Sequence, residues 1–332
     1  MGEKIVRGLK ILFVWQLCNL LFFVCLFFLM LFLSLVMGAI ASSSDMPKDG
    51  ISQLTIHKEG VSSKKGYVLQ IPMAGIIMKQ EPEFFLDEAV GPYERLIGDL
   101  KKAKKDKKVK AVLIVVNSPG GSVSVCDRML EAINKFKEKT KLPVYAYYED
   151  VAASGGVYTT VACDYIMASP TCITGSIGVI MGGMNIMGLM EKIGVKEQVY
   201  KSGELKDMGS GTRAGSSEEK KLLQDMVNQL FDRFVDIIVE GRGEKVKRED
   251  VIALKGAFFL PKKALENGLI DEIGSYDEIV AKIRKDLDEK YKIVSYLPKP
   301  DWGKLLGAMG TIMPKKMRNR LELDGPLYLF EL

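Results

Sequence analysis

A single histidine, His57, serves the whole chain of 332 residues. A Ser-His-Asp triad would have to recruit it from a polar segment far upstream of any strand-turn element, and a metal hydrolase would lack its histidines. Cysteine is nearly as scarce. Cys18 and Cys25 fall in an apolar N-terminal run, and Cys126, Cys163 and Cys172 contain no CxxC pair. Neither a zinc site nor a thioredoxin-like motif is therefore suggested. A Cys163–Cys172 bridge is allowed by separation, but buried free thiols are the better expectation. The Gly-rich run Gly209–Ser217 lacks the Gly-Lys-Ser/Thr ending of a phosphate loop. Charge of one sign is also missing, since 47 Lys and Arg stand against 42 Asp and Glu. The densest basic run, Lys101–Lys110, reads as a solvated helix end and loop, and there is no nucleic-acid motif to make it a partner surface. No cofactor, metal or nucleic acid is expected.

What the sequence does have is a long uncharged run. From Ile11 to Ser44 no residue is charged, and most are Leu, Phe, Val, Ile or Met. A membrane span needs roughly 20 apolar residues, whereas the apolar region of a cleaved signal peptide is only about 7–15 long. Ala39-Ile40-Ala41 resembles a cleavage site, yet the length favours an uncleaved transmembrane anchor over 11–42. Lys4, Arg7 and Lys10 precede it, so the positive-inside rule puts residues 1–10 in the cytoplasm and the body across the inner or plasma membrane. Residues 43–65 read as a linker, 66–296 as one catalytic domain and 297–332 as a C-terminal tail.

Within the body, strand and helix patterns alternate. Tyr67–Ile77, Val109–Val116, Leu142–Tyr148 and Tyr165–Ala168 read as strands. Helical spacing runs through Pro92–Lys104, Ser122–Lys139 and Ser154–Cys163. Val109–Val116 (VKAVLIVV) has the continuous β-branched character of a strand buried on both faces. Ser216 with Glu219 forms a capping box that opens a long amphipathic helix through Val239. This alternation implies an α/β fold with largely parallel pairing and flanking helices.

Three Gly-rich elements punctuate it: Ser118-Pro119-Gly120-Gly121, Ala152-Ala153-Ser154-Gly155-Gly156 and Thr174-Gly175-Ser176-Ile177-Gly178. Glycines allow close backbone approach, helix starts offer free N–H groups, and a serine on a strand-to-helix turn is placed like a nucleophile. The same elements could be tight turns and caps only. If Ser154 is a nucleophile, its base must be Lys, Asp or Glu. A lysine can serve once burial and neighbours bring its pKa down from about 10.4 towards 7–8. Composition does not choose among so many lysines.

The ordered set NSPGG (117–121), AASGG (152–156), TGSIGVI (174–180) and KSGELKD (201–207), behind an N-terminal anchor, resembles the signal peptide peptidase A family in its short form. That family belongs to the Clp-protease/crotonase superfamily of α/β folds. The resemblance covers about Tyr67 to Asp277. It implies Ser154 as nucleophile, Lys206 as general base, Ser176 as the hydroxyl that orients the lysine, and the N–H groups of Gly120 and Gly155 as oxyanion donors. Lys201 is then a structural decoy. The resemblance further implies peptide substrates, such as cleaved signal peptides and unfolded apolar peptides. It also implies a homo-oligomeric ring whose active sites are shared between adjacent subunits. After Lys206 the stretch Met208-Gly209-Ser210-Gly211-Thr212 departs from the family's pattern, and the local loop should differ.

Two alternatives share the fold: an acyl hydrolase or hydratase, disfavoured by an extracytoplasmic placement away from coenzyme A, and a non-catalytic membrane-anchored scaffold. Met181-Gly182-Gly183-Met184 reads as a flexible wall, and Phe258-Phe259-Leu260-Pro261 as a structural turn leading into a helix. The apolar end of the tail, Leu327–Phe330, could pack on a neighbour or lie in a substrate groove.

Overall fold

The computed structural model describes residues 53–57, 66–79 and 91–297, all within the unit that begins at Gln53. The expected anchor over 11–42 and the tail beyond Leu297 lie outside them. No helix among the described residues is long and apolar enough to cross a membrane.

The described strands are β1 (Gln53–His57), β2 (Tyr67–Ala74), β3 (Val109–Ser118), β4 (Val144–Ala153), β5 (Tyr165–Ala168), β6 (Ile173–Gly175), β7 (Phe258–Phe259), β8 (Glu272–Ile273) and β9 (Lys292–Tyr296). The helices are α1 (Pro92–Ala103), α2 (Val123–Thr140), α3 (Gly155–Thr160), α4 (Met187–Lys192), α5 (Ser217–Arg242), α6 (Arg248–Ala253), α7 (Pro261–Glu266) and α8 (Tyr276–Asp286).

The sheet runs β1-β9-β2-β3-β4-β5-β8, with β6 added beside β4 and β7 beside β6. Pairing is parallel throughout except at β1–β9 and β6–β7. The largely parallel α/β architecture is therefore as expected. Strand β3 lies at its centre, and Ala111 to Val116 are all buried. β-Branched side chains fit a pleated surface covered on both sides, which is why this run forms a strand and not a helix. The segment read as a linker contains β1, whose five residues QLTIH pair antiparallel with β9.

Residues of one parity face one layer. Val68, Ala111, Leu113, Val115, Tyr145 and Tyr147 pack with Ile279, Val280 and Ile283 of α8. Their neighbours Leu69, Ile71, Met73, Val112, Ile114 and Val116 are equally buried on the opposite face. On α2, Val125, Met129, Ile133 and Phe136 are buried at helical spacing, and α1 packs against both α2 and β2.

Helix α5 starts at the predicted capping box. The Ser216 hydroxyl accepts from the Glu219 N–H at 3.1 Å, and the Glu219 carboxylate accepts from the Ser216 N–H at 2.9 Å. Its far end is fastened by a buried ion pair. Arg242 donates to Asp271 at 2.8 and 3.1 Å, with the two side chains only 2% and 8% exposed. Burial alone would raise the Asp271 carboxyl, but hydrogen bonds from Arg242 and Lys245 outweigh it and hold the group below its ordinary value. Asp271 also accepts from the Ile166 N–H of β5 at 2.8 Å, so the pair locks α5 to the sheet. Arg242→Ala leaves that carboxylate buried with half its partners. A loss of about 3 kcal/mol in unfolding free energy is expected by chemical denaturation, and a loss below half of that would show the pair to be dispensable.

Candidate active site

Strand β4 has different partners along its length. Tyr145–Tyr148 pair with β5, whereas Val151–Ala153 pair with β6. On its other side Ala152 stands opposite Ser118 at the end of β3. The strand thus delivers Ser154 into a position flanked by the NSPGG turn and the TGS element. The Ser154 N–H donates to the Gly175 carbonyl at 2.9 Å, and its own carbonyl accepts from the Tyr158 N–H at 3.0 Å to begin α3. Its backbone sits at φ 49° and ψ −114°, a conformation L-residues avoid unless the surroundings enforce it.

On the NSPGG side, Gly120 has φ +106°. A Cβ there would fall 2.8 Å from the Ser154 Cβ and 2.6 Å from the Gly155 nitrogen, so only glycine permits this approach. The Gly120 N–H, expected as an oxyanion donor, instead donates to the Ser118 hydroxyl at 3.1 Å, which in turn donates to the Gly75 carbonyl at 2.6 Å. The Ile77 N–H donates to the Gly120 carbonyl, and the Ser122 N–H donates to the Ile77 carbonyl, both at 2.8 Å. In such a parallel bridge the amide of the intervening Gly121 points away from Ile77. It lies on the Gly155 side, where a Cβ added to Gly155 would come within 3.1 Å of the Gly121 nitrogen and 2.5 Å of the Cys126 sulfur. The backbone of Gly121 therefore lies close beside Gly155. Cys126, Cys163 and Cys172 are free and buried, as expected. Burial pushes the Cys126 thiol up to about 11 and the other two up to about 12, which leaves them inert.

Ser176 follows Gly175 directly and is also left-handed, at φ 49°, with its N–H donating to the Ala257 carbonyl at 2.8 Å. Since Gly175 receives the Ser154 N–H, the two serine motifs are joined through one peptide bond.

Lys206 is hydrogen-bonded to neither serine. It sits in an exposed turn closed by its own N–H donating to the Gly203 carbonyl at 3.1 Å. Among the described residues its ammonium has no hydrogen bond or ion pair, so nothing joins it to Ser154 or Ser176 within the single chain. Lys201 is engaged, donating to Asp207 at 2.8 Å and to the Glu204 carbonyl at 2.9 Å. The segment that carries both lysines is scarcely covered by the domain. Ile180, Met184 and Tyr200 are 96%, 81% and 87% exposed, and α4 buries no residue.

Residues 136–290 match the family model described as Peptidase family S49. A putative signal peptide peptidase SppA of Enterococcus faecium is 36% identical over 229 residues, covering 69% of this chain and 65% of that protein. Over residues 136–290 the chain is similar to peptidase family S49. A putative protease of Synechocystis is 38% identical over 177 residues, covering 53% of this chain and 63% of its own. Protease 4 of Salmonella typhi is 34% identical over 184 residues, covering 55% and 29%. The chain spans less than two thirds of the length of each of these proteins. A solved structure, a mutant of the 1510-N membrane-bound stomatin-specific protease, superposes with a TM-score of 0.46 at 16% identity over 71% of this chain and 99% of that one, too slight a likeness to argue from. The S49 match takes in Ser154, Ser176 and Lys206 and stops short of Gly120 and Gly121.

Two features of the candidate site had no sequence signal. Ser118 reads as part of a breaker, and only its hydroxyl geometry reveals that it occupies the Gly120 amide. Arg213, which binds Asp207 and Glu219 at once, lies in a loop with no periodic pattern. The conformation of Ser154 also has a measurable cost. Ser154→Gly is expected to raise the unfolding free energy by about 1 kcal/mol, because glycine adopts this φ without strain. A melting temperature no higher than that of Ser154→Ala would show the turn to be relaxed.

Proposed function

We propose that this chain is a serine endopeptidase that acts on apolar peptides, such as the remnants of cleaved signal peptides. Ser154 is its nucleophile, Lys206 its general base and Ser176 the hydroxyl that orients the base. The observation that carries this reading is the strained backbone of Ser154 at the junction of β4 and α3, packed against the NSPGG turn at Gly120. Strain of this kind is characteristic of a residue whose side chain must be presented to a ligand.

In the proposed reaction neutral Lys206 takes the Ser154 proton as the Ser154 oxygen attacks the peptide carbonyl carbon. The developing oxyanion is held by N–H groups of the two Gly-rich turns. Gly155 and Gly121 are the proposed donors, since Gly120 is already engaged by Ser118. The lysine then protonates the departing amine, and water releases the acyl group from Ser154. Each such donor contributes roughly 10²–10³ in rate.

The base reaches the nucleophile from a neighbouring copy. Two observations support this: Lys206 has no partner among the described residues of its own chain, and the segment around it exposes Ile180, Met184, Ile193 and Tyr200. A chain that leaves such an apolar segment uncovered gains by burying it against a second copy. A ring of identical subunits, held at the inner or plasma membrane by 11–42 with the catalytic domain outside the cytoplasm, would meet these requirements. The scaffold alternative is weaker, because it leaves the juxtaposition of Ser154 with the NSPGG and TGS elements without a use.

A serine-directed acylating probe should label the protein and fail to label Ser154→Ala. Each of Ser154→Ala and Lys206→Ala should lose peptide hydrolysis by at least about 10³-fold. Mixed subunits of the two variants should regain part of the activity. Absence of labelling in the wild type would overturn the peptidase reading, and absence of recovery on mixing would place both residues in one chain.

A further inference from the structure

We propose that Arg213 is a positioning residue for Lys206, acting by keeping the adjacent carboxylate of Asp207 away from the base. The inference rests on the assignment of Lys206 as base made above.

Asp207 follows Lys206 in the chain, and both its oxygens are taken. Oδ2 accepts from Arg213 Nε at 2.9 Å. Oδ1 accepts from Arg213 Nη2 at 2.7 Å and from Lys201 Nζ at 2.8 Å. The other face of the same guanidinium holds Glu219, with Nη1 donating to Oε2 at 3.0 Å and Nη2 donating to Oε1. Glu219 is itself fixed: its side chain is 3% exposed and forms the capping box at the start of α5. A continuous set of charge-assisted bonds thus runs from the first turn of α5 through Glu219, Arg213 and Asp207 to the backbone next to the base.

The loop bearing Arg213 is stitched to both limbs of the exposed segment. The Arg213 carbonyl accepts from Asn185 Nδ2 at 3.1 Å, the Gly211 carbonyl accepts from the Ile186 N–H at 2.7 Å, and the Thr212 hydroxyl donates to Glu197. Arginine suits this place, since its planar fork serves two carboxylates at once, which a lysine ammonium cannot do.

The charges bear on the chemistry. The groups set against Asp207 are Lys201 from the segment before it, Arg213 from the loop after it, and Glu219 from α5 across the guanidinium. Two cations and two carboxylates balance without Lys206. Hydrogen bonds from Arg213 and then Lys201 hold the Asp207 carboxyl well below the usual carboxylate range, so it is an anion at every working pH. An anion free to swing beside Lys206 would pair with it and favour its charged form, the form that is useless as a base. Arg213 removes that competitor while fixing the turn that carries the lysine.

The test compares kcat, KM and the pH dependence of kcat/KM for the full-length protein and its variants, with folding checked by circular dichroism and assembly by size-exclusion chromatography. Arg213→Ala is expected to lower kcat about 10- to 100-fold with little change in KM, and to move the acid limb of the profile up by about one pH unit. Adding Asp207→Asn should return the limb to its wild-type position while kcat remains low. A limb that stays at the wild-type pH in folded Arg213→Ala, or stays displaced in the double variant, overturns the proposal. If Arg213→Ala does not fold, Arg213→Lys carries the test: it keeps the charge and loses the fork, and an unmoved limb there also overturns it. Lys206→Ala in the same series separates the two levels, because activity surviving in that variant would remove Lys206 as base, whatever Arg213 does.

Discussion

The second half of β4 leaves β5 and pairs with β6, and this change of partner governs the geometry of the whole site. A strand that ended at Tyr148 with its β5 pairing would release the chain before it reached the level of Ser118 and Gly175. Because Val151–Ala153 stay in the sheet, the two Gly-rich elements on either side are brought level with residue 154 by backbone hydrogen bonds alone. Such ladders are rigid, so the position of Ser154 is set by the scaffold and not by a loop. The left-handed turn at Ser154 is the local cost of stopping the strand there and starting α3 at once.

Much of this was legible in the residues. VKAVLIVV announces a doubly covered strand, and the spacing of Leu96, Leu100 and Ala103 announces α1. Ser216 and Glu219 give the start of α5, because their chemistry is local and makes its own hydrogen bonds. The three Gly-rich motifs marked the turns that the sheet brings together. What stayed hidden depended on partners distant in the chain. QLTIH at β1 is too short and too polar to read as a strand until β9 lies beside it. The Gly-rich departure after Lys206 gave warning of a different loop, but not that Arg213 would fold back onto Asp207 and Glu219. The choice between the amides of Gly120 and Gly121 is a matter of which way a peptide plane faces, and no residue pattern encodes it.

The domain also divides its stability unevenly. The sheet, α1, α2 and α8 form a buried core that also encloses the three cysteines. The segment from Ile180 to Leu205 is attached to that core through polar contacts of the Arg213 loop, with its apolar side chains left outside. Regions with few buried contacts open most readily, so the segment that leads into the candidate base has little support of its own.

The edge of β2 has a consequence for how the chain is made. Its neighbour on the outer side is β9, which pairs through Lys292–Val294 with Tyr67–Leu69, and β1 in turn pairs, among the described residues, only with β9. On the ribosome β2 is synthesised early, yet its outer edge stays open until almost the whole domain has emerged. An open parallel edge of buried-type residues invites pairing with other chains. Biogenesis of this fold therefore has a window of vulnerability that narrows once β9 covers Tyr67–Leu69.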